Sequence, residues 1–319
     1  MEYVQLGRTG LEVSRIILGC GNFGGIGSAP ELFGRGESEA EAFAIMDAAW
    51  ELGITCFDTA DAYGGGRSET AIGKWMAATG KRPSITTKTY NPMDAGADHG
   101  LSAARIARQI ESSRRRLGVD GVDVYLAHEF DRETPLEETF GAFETLRDRG
   151  AIKAYGVSNF DGAQLREALR AGGPAVVQNS YSLLERADEL EVLPLCSEHG
   201  LAYEAFSPLA GGWLSGKYRR GQPPPPGSRM AQRPEPYEHL RSERVFDALD
   251  VFGRAADARG LAPATLALAW LLTRPNVTAI VVGPRRPEHL EPARAALDLR
   301  LAAAEADELA ALFREPAAR

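Results

Sequence analysis

The 319-residue chain is poor in cysteine, in concentrated basic charge and in long apolar runs. Its three cysteines, Cys20, Cys56 and Cys196, lie far apart. An odd, unclustered set argues against a disulfide framework or a zinc site, and for a reducing compartment. Cys20 and Cys56 sit in apolar, strand-like runs, where a thiol is more often core than nucleophile. Formal net charge is −8 with no basic block, which makes nucleic acid and anionic membranes poor partners. The start, Met1-Glu2-Tyr3-Val4-Gln5, lacks the basic and apolar segments of a signal peptide. No apolar run approaches a membrane span. What is present is 44% hydrophobic residues, enough for a sizeable core. The expectation is a cytoplasmic globular protein that binds neither nucleic acid nor membrane.

Residues 3–13 read as two short strands around the turn Gly7-Arg8-Thr9-Gly10. After them a short β-branched strand, a loop and an amphipathic helix recur. Strands are expected at Ile16–Leu18, Ile54–Phe57, Ser84–Lys88, Val122–Leu126, Ala154–Val157, Ala175–Gln178, Ala202–Phe206 and Thr278–Val282. Helices are expected at Ser38–Leu52, Ser68–Ala78, Ser102–Leu117, Pro135–Arg149, Asp161–Ala171, Leu190–Glu198 and Glu243–Arg274, the last interrupted near Gly260. Another begins near Pro287, and Ala302–Phe313 is an extra amphipathic helix. Ser38 before Glu39 and Glu41 reads as an N-cap, as does Thr134 with Pro135 at the first helical position. Gly53, Gly118, Gly150 and Gly200 fall just past helix ends. Near-continuous apolar strands alternating with helices imply a covered parallel sheet. Eight such units in this length predict an α/β fold, a (β/α)8 TIM barrel in one domain over residues 1–319, with an N-terminal β-hairpin cap and an extra C-terminal helix. The long loops Gly21–Glu37 and Ala210–Leu240 both follow a strand, so both belong at the carboxyl face, where barrel active sites sit. The second contains the stiff stretch Pro223–Pro226.

Gly19-Cys20-Gly21-Asn22-Phe23-Gly24 formally fits a dinucleotide-binding G-x-G-x-x-G, with Asp58 at the end of the next strand. In that motif the glycines open a helix directly, whereas here more loop intervenes and the spacing to Asp58 is too long. A tight loop lining a pocket is the better reading. The strand ends are more telling. One strand runs into Asp58, the next into Lys88, the next into His128, and Tyr63 lies in the loop after Asp58. Taken singly these are a solvated loop acid, a snorkelling lysine and a satisfied structural histidine. Together, at one rim of consecutive strands, they form a set. Lysine is rarely buried unless paired, and Asp58 is its natural partner. Lys88 beside Tyr63 is expected to lower the phenol pKa. The set suits proton transfer to or from a carbonyl or alcohol oxygen.

Asp58, Tyr63, Lys88 and His128, in the contexts Phe-Asp-Thr-Ala-Asp-Ala-Tyr-Gly, Thr-Lys and His-Glu-Phe-Asp, resemble the catalytic tetrad of the aldo-keto reductase superfamily. The likeness extends through Gly156–Phe160, Gln178–Arg186, Phe206–Tyr218 and Gly283–Leu290, and is nearest to the bacterial and potassium-channel-β-subunit-like branch. It implies an oxidoreductase that uses NADPH/NADP+ to reduce an aldehyde or ketone, with Tyr63 as general acid, Lys88 and Asp58 tuning it, and His128 orienting the carbonyl. It further implies that Ser158, Asn159 and Gln178 hold the nicotinamide carboxamide and that Phe206 stacks on the ring. Gly21 and Asn22 line the cofactor, while Ser207, Pro208, Leu209, Gly211, Lys217 and Arg229 surround its pyrophosphate. Gly283, Arg285, Arg286 and His289 surround the adenosine 2′-phosphate and adenine. Two adjacent arginines with no acid nearby agree with a phosphate there. His289, Pro292 and Ala293 depart from the residues the family often has at the adenine, which leaves room for NADH. The substrate, the direction and homo-oligomerisation stay open in the sequence. Two other readings stand beside the reductase. One is a cofactor-binding regulatory or sensor subunit with slow turnover. The other is a Schiff-base lyase or isomerase on Lys88, disfavoured because Asp58 would keep that lysine protonated.

Overall fold

Eight parallel strands close into a barrel in the computed structural model, which describes residues 1–96 and 98–314. A hairpin of β1 (Tyr3–Gln5) and β2 (Glu12–Ser14) precedes them. The barrel strands are β3 (Ile16–Gly19), β4 (Cys56–Asp58), β5 (Ser84–Thr89), β6 (Val122–Ala127), β7 (Ile152–Ser158), β8 (Val176–Ser180), β9 (Ala202–Phe206) and β10 (Ala279–Val282). They pair in chain order, and β10 closes on β3 through Val281 opposite Ile17. The expected (β/α)8 barrel with its hairpin is therefore the observed fold.

The main helices are α1 (Glu39–Glu51), α2 (Arg67–Thr79), α3 (Ala103–Leu117), α4 (Leu136–Asp148), α5 (Gly162–Ala171) and α6 (Val192–His199). The short α7 (Arg229–Gln232) is followed by α8 (Glu243–Asp257), α9 (Pro263–Leu272), α10 (Glu291–Leu297) and α11 (Ala303–Ala311). Two cores result. One lies between strands and helices; the other fills the barrel with Ile17, Cys56, Val124, Leu126, Val176 and Val281. Leu6 and Val13 of the hairpin region join the inner core, so the hairpin plugs the amino-terminal end. The barrel interior is thus covered at that end, and the candidate residues gather at the carboxyl end. All three cysteines are buried.

Local chemistry explains most boundaries. Ser38 and Glu41 form a reciprocal capping box at α1. Gly53, Gly118, Gly150 and Gly200 have φ of 82°, 69°, 72° and 62°, the left-handed geometry that ends a helix. Some boundaries differ from expectation. Pro135 (ψ 140°) is itself the cap of α4 and Leu136 the first helical residue, because Thr134 bonds the Asp131 carboxyl instead. β4 starts at Cys56 rather than Ile54, since the Thr55 N–H donates to Ser14 Oγ at 3.1 Å. Residues Pro287–Leu290 make a 3-10 turn before α10. The expected interruption at Gly260 (φ 65°) separates α8 from α9. Among the described residues no helix is long and apolar enough to cross a membrane.

Candidate active site

Register and strand periodicity bring the tetrad together. Asp58 pairs with Thr86, and Lys88 with Leu126, so Asp58, Lys88 and His128 lie at the same rim of three adjacent strands. Side chains two residues apart on a strand share a face, which puts Asp58, like Cys56, inside the barrel. The Lys88 side chain is 1% exposed and Asp58 5%. Lys88 Nζ donates to Asp58 Oδ1 at 2.6 Å and to the Thr59 carbonyl at 2.9 Å. An ammonium has three donors, so one is left over. It lies 5.2 Å from the centre of the Tyr63 ring. That ring meets the His128 imidazole edge-on at 5.5 Å. Tyr63 is aimed by the turn that follows it, where Gly64, Gly65 and Gly66 have φ of 58°, 64° and 86°. Three consecutive left-handed residues are open to glycine alone without strain. A Cβ on Gly64 would also come within 2.9 Å of the Gly24 backbone.

Burial and charge set the protonation states. Burial pulls the Lys88 ammonium down, but Asp58 and then Tyr63 hold its pKa above the ordinary value. His128 is pushed well below the usual imidazole value by burial and by Lys88, so it is neutral. Asn91 Nδ2 lies 3.2 Å from its Nδ1, which as acceptor leaves the ring proton on Nε2. For Tyr63 the expected net lowering is not found. Burial raises its pKa more than Lys88 lowers it, so the phenol keeps its proton at neutral pH.

Ser158 and Gln178 are opposite each other in the β7–β8 ladder, and Asn159 follows with φ of 60°. The Gln178 amide nitrogen donates to Asp58 Oδ2 and to Glu204 Oε2, both at 2.8 Å. Both its hydrogens are used, and its oxygen is left to accept. Asn159 Nδ2 donates to the His128 carbonyl at 2.9 Å and to Glu129 Oε1 at 3.2 Å. Glu204 and Glu129 are acids the sequence reading missed. Burial, then Asp58, raises Glu204 to about 7, and burial alone raises Glu129 to about 7. The inward parity of Ala202, Glu204 and Phe206 was the available signal for Glu204.

The other candidate residues lie at the end of β9 and in the loops after β3, β9 and β10, at the carboxyl end of the barrel. Gly21 would place a Cβ 3.4 Å from the Tyr63 ring, so its bare backbone covers the phenol. Phe206 packs on the barrel interior at the end of β9. Ser207 (φ 54°), Ala210 (46°), Gly211 (62°) and Gly212 (97°) follow in left-handed conformations, and Ser207 Oγ bonds Tyr237 Oη at 2.7 Å. Pro208 is buried and Leu209 half-buried in the same loop. A Cβ on Gly212 would run into the Lys217 ammonium, so backbone and cation form a cradle here. Arg229 Nη2 donates to Asn22 Oδ1 at 2.9 Å. The Lys217 pKa is lowered by desolvation, then by Arg285 and Arg229. Such a cation cluster fits a pyrophosphate. Gly283 and His289 are exposed, and the Arg285 N–H donates to His289 Nδ1 at 3.2 Å. Arg286 is 73% exposed and lies 3.9 Å from Glu288. The two arginines are thus not equivalent, and an acid does stand nearby. Arg285 Nε donates to the buried Glu37 at 2.6 Å. Sequence separation hid that pair.

Residues 15–314 match the family model described as Aldo/keto reductase family. An oxidoreductase of Bacillus subtilis called YrpG is 40% identical, over 94% of this chain and 92% of its own. A probable voltage-gated potassium channel β subunit of Arabidopsis thaliana is 34% identical, over 94% and 92%. An NADH-specific methylglyoxal reductase of Escherichia coli is 30% identical, over 96% of both. With the barrel and the rim of polar residues in place, these likenesses make the chain an oxidoreductase-type member of the aldo/keto reductase family.

Proposed function

We propose that the protein reduces an aldehyde or ketone to an alcohol with a nicotinamide cofactor, NADPH among them, and that Tyr63 gives the proton. The observation that carries this is the buried Lys88–Asp58 pair at 2.6 Å beneath a tyrosine that keeps its proton. The nicotinamide would supply a hydride to the carbonyl carbon. The substrate oxygen takes the Tyr63 proton, and the phenolate left behind faces the unused Lys88 donor until solvent reprotonates it. Neutral His128 donates Nε2–H to the same oxygen and fixes its direction. Asp58 keeps the ammonium charged and in place.

The cofactor fits the residues present. Ser158, Asn159 and the free Gln178 oxygen suit an amide that both donates and accepts, and Phe206 offers an aromatic face. Ser207–Gly212, with Lys217 and Arg229, suits the pyrophosphate. Arg286, largely exposed, suits the extra charge of a 2′-phosphate, while Arg285 is shared with Glu37. The family accommodates both cofactors by name, as the methylglyoxal reductase is called NADH-specific and a Schizosaccharomyces pombe relative carries NADP(+) in its name. The likeness to channel β subunits favours a second reading, a cofactor-binding regulatory subunit with slow turnover.

The test is a cofactor-oxidation screen over aldehydes, ketones, quinones and sugars, with Tyr63→Phe as control. Tyr63→Phe is expected to lose at least about a hundredfold in kcat while keeping cofactor affinity, since a general acid is worth that much or more. Undiminished turnover in the variant would refute the role of Tyr63. Cofactor binding with no turnover on any substrate would favour the regulatory reading.

A further inference from the structure

We propose that Glu37 sets the cofactor preference: it opposes a 2′-phosphate at Arg285 and offers a carboxylate oxygen to a ribose 2′-hydroxyl, so that NADH is accepted alongside NADPH. This rests on the reading above that residues 283–289 face the adenosine end of the cofactor.

The first observation is how Arg285 is used. Its Nε donates to Glu37 Oε1 at 2.6 Å, and its Nη1 donates to Gln232 Oε1 at 2.7 Å and to the Gly227 carbonyl. A guanidinium grips a phosphate best through two parallel N–H groups on one edge. The edge containing Nε is committed to Glu37, leaving Nη2. A 2′-phosphate must therefore displace the carboxylate or share the guanidinium with it at close range, in a partly enclosed site where like charges repel strongly. A hydroxyl meets neither obstacle.

The second observation is the acid itself. The Glu37 side chain is 3% exposed, and Oε2 is buried without a hydrogen-bond partner. A carboxylate oxygen left unpaired in the interior is costly, and a donor brought beside Arg285 removes that cost. The ribose 2′-hydroxyl is such a donor, whereas a phosphate monoester, with a second pKa of about 6, is mainly an acceptor-only dianion at neutral pH.

The third observation is that Glu37 is held in place. Its N–H donates to the Asn22 carbonyl and its own carbonyl accepts from Gly24, both at 2.9 Å. A Cβ on the preceding Gly36 would collide with the Asn22 and Gly25 backbones, so the loop has one way to close. The backbone that carries the acid is thereby fixed, and Arg285 holds its carboxylate.

The experiment measures dissociation constants of NADPH and NADH by intrinsic fluorescence for wild type, Glu37→Gln and Arg285→Ala. Glu37→Gln is expected to raise the affinity for NADPH relative to NADH by about tenfold or more. Arg285→Ala is expected to weaken NADPH more than NADH. Where the Gln variant fails to fold, Glu37→Asp withdraws the charge by one methylene and should move the ratio the same way by less. If Glu37→Gln or its substitute leaves the ratio unchanged, or weakens both cofactors equally, Glu37 is only a loop anchor and the inference is overturned. If the wild type binds neither cofactor, the oxidoreductase reading fails and takes this inference with it. If the ratio is unchanged but both cofactors bind wild type, the inference alone fails.

Discussion

Asp58 and Glu204 are two acids on one amide, that of Gln178, with Lys88 bonded to the first. The charges facing Glu204 are Asp58 and Lys88; burial and then Asp58 raise it, outweighing the Gln178 hydrogen bond and Lys88, and hold it at about 7. The folded protein thus binds a proton that the unfolded chain has released above about 4.5. Stability from this group is present below the unfolded value and is lost as pH rises toward about 7. Glu204→Gln keeps an acceptor for Gln178 and has no proton to release. Its stability in urea, relative to wild type, is expected to gain up to ~1.4 kcal/mol per pH unit across that window. A difference that stays constant from acid to neutral pH would show that Glu204 is not the titrating group. The tetrad was legible because a polar residue ending an apolar strand is conspicuous, and three of them at the ends of adjacent strands, with Tyr63 in the loop between, more so. Glu37 was not legible, since its partner Arg285 is 248 residues away and only tertiary structure brings them together. The net pKa of Tyr63 was not legible either, because sequence names the cation beside it but not how deeply both are buried.

Strand β7 carries Gly156, where a Cβ would run into the Val176 carbonyl of β8. No side-chain rotation relieves that clash, because the obstacle is backbone. Gly156→Ala should cost about 3 kcal/mol, the upper range for overpacking a close-packed interior. It should also weaken cofactor binding, since the same ladder places Ser158 opposite Gln178. Urea denaturation with parallel fluorescence titration would check both, and a change under about 0.5 kcal/mol would mean that β7 and β8 can part without cost. Element identity was largely readable from β-branched runs, caps and C-terminal glycines. The ends were not, because hydrogen bonds from elsewhere decide them. Ser14 takes the Thr55 N–H that would have extended β4, and Asp131 takes the Thr134 side chain that would have capped α4.

The molecule as a whole divides its stability unevenly. The barrel is closed by backbone ladders around a filled interior, whereas the loops at its mouth are tied by guanidinium groups: Arg229 on Asn22, Arg233 on the Ile26 carbonyl, and Arg285 on both loops. Arg285 reaches Glu37 in the loop after β3, and Gly227 and Gln232 in the loop after β9. The presence of two long loops could be read in the sequence. That a third segment ties them could not, because loop residues carry no periodic pattern to betray a partner. The tie has a consequence for amide hydrogen exchange. Strand amides should exchange only through global unfolding and respond to urea, while those of residues 21–37 and 217–240 should exchange through small openings that urea barely affects. Replacing Arg285 by alanine is expected to speed exchange in both loops together and leave the strands unchanged. Acceleration in one loop alone would show that they open separately. With the tie intact, two stretches nearly two hundred residues apart in sequence should open as a single exchange unit.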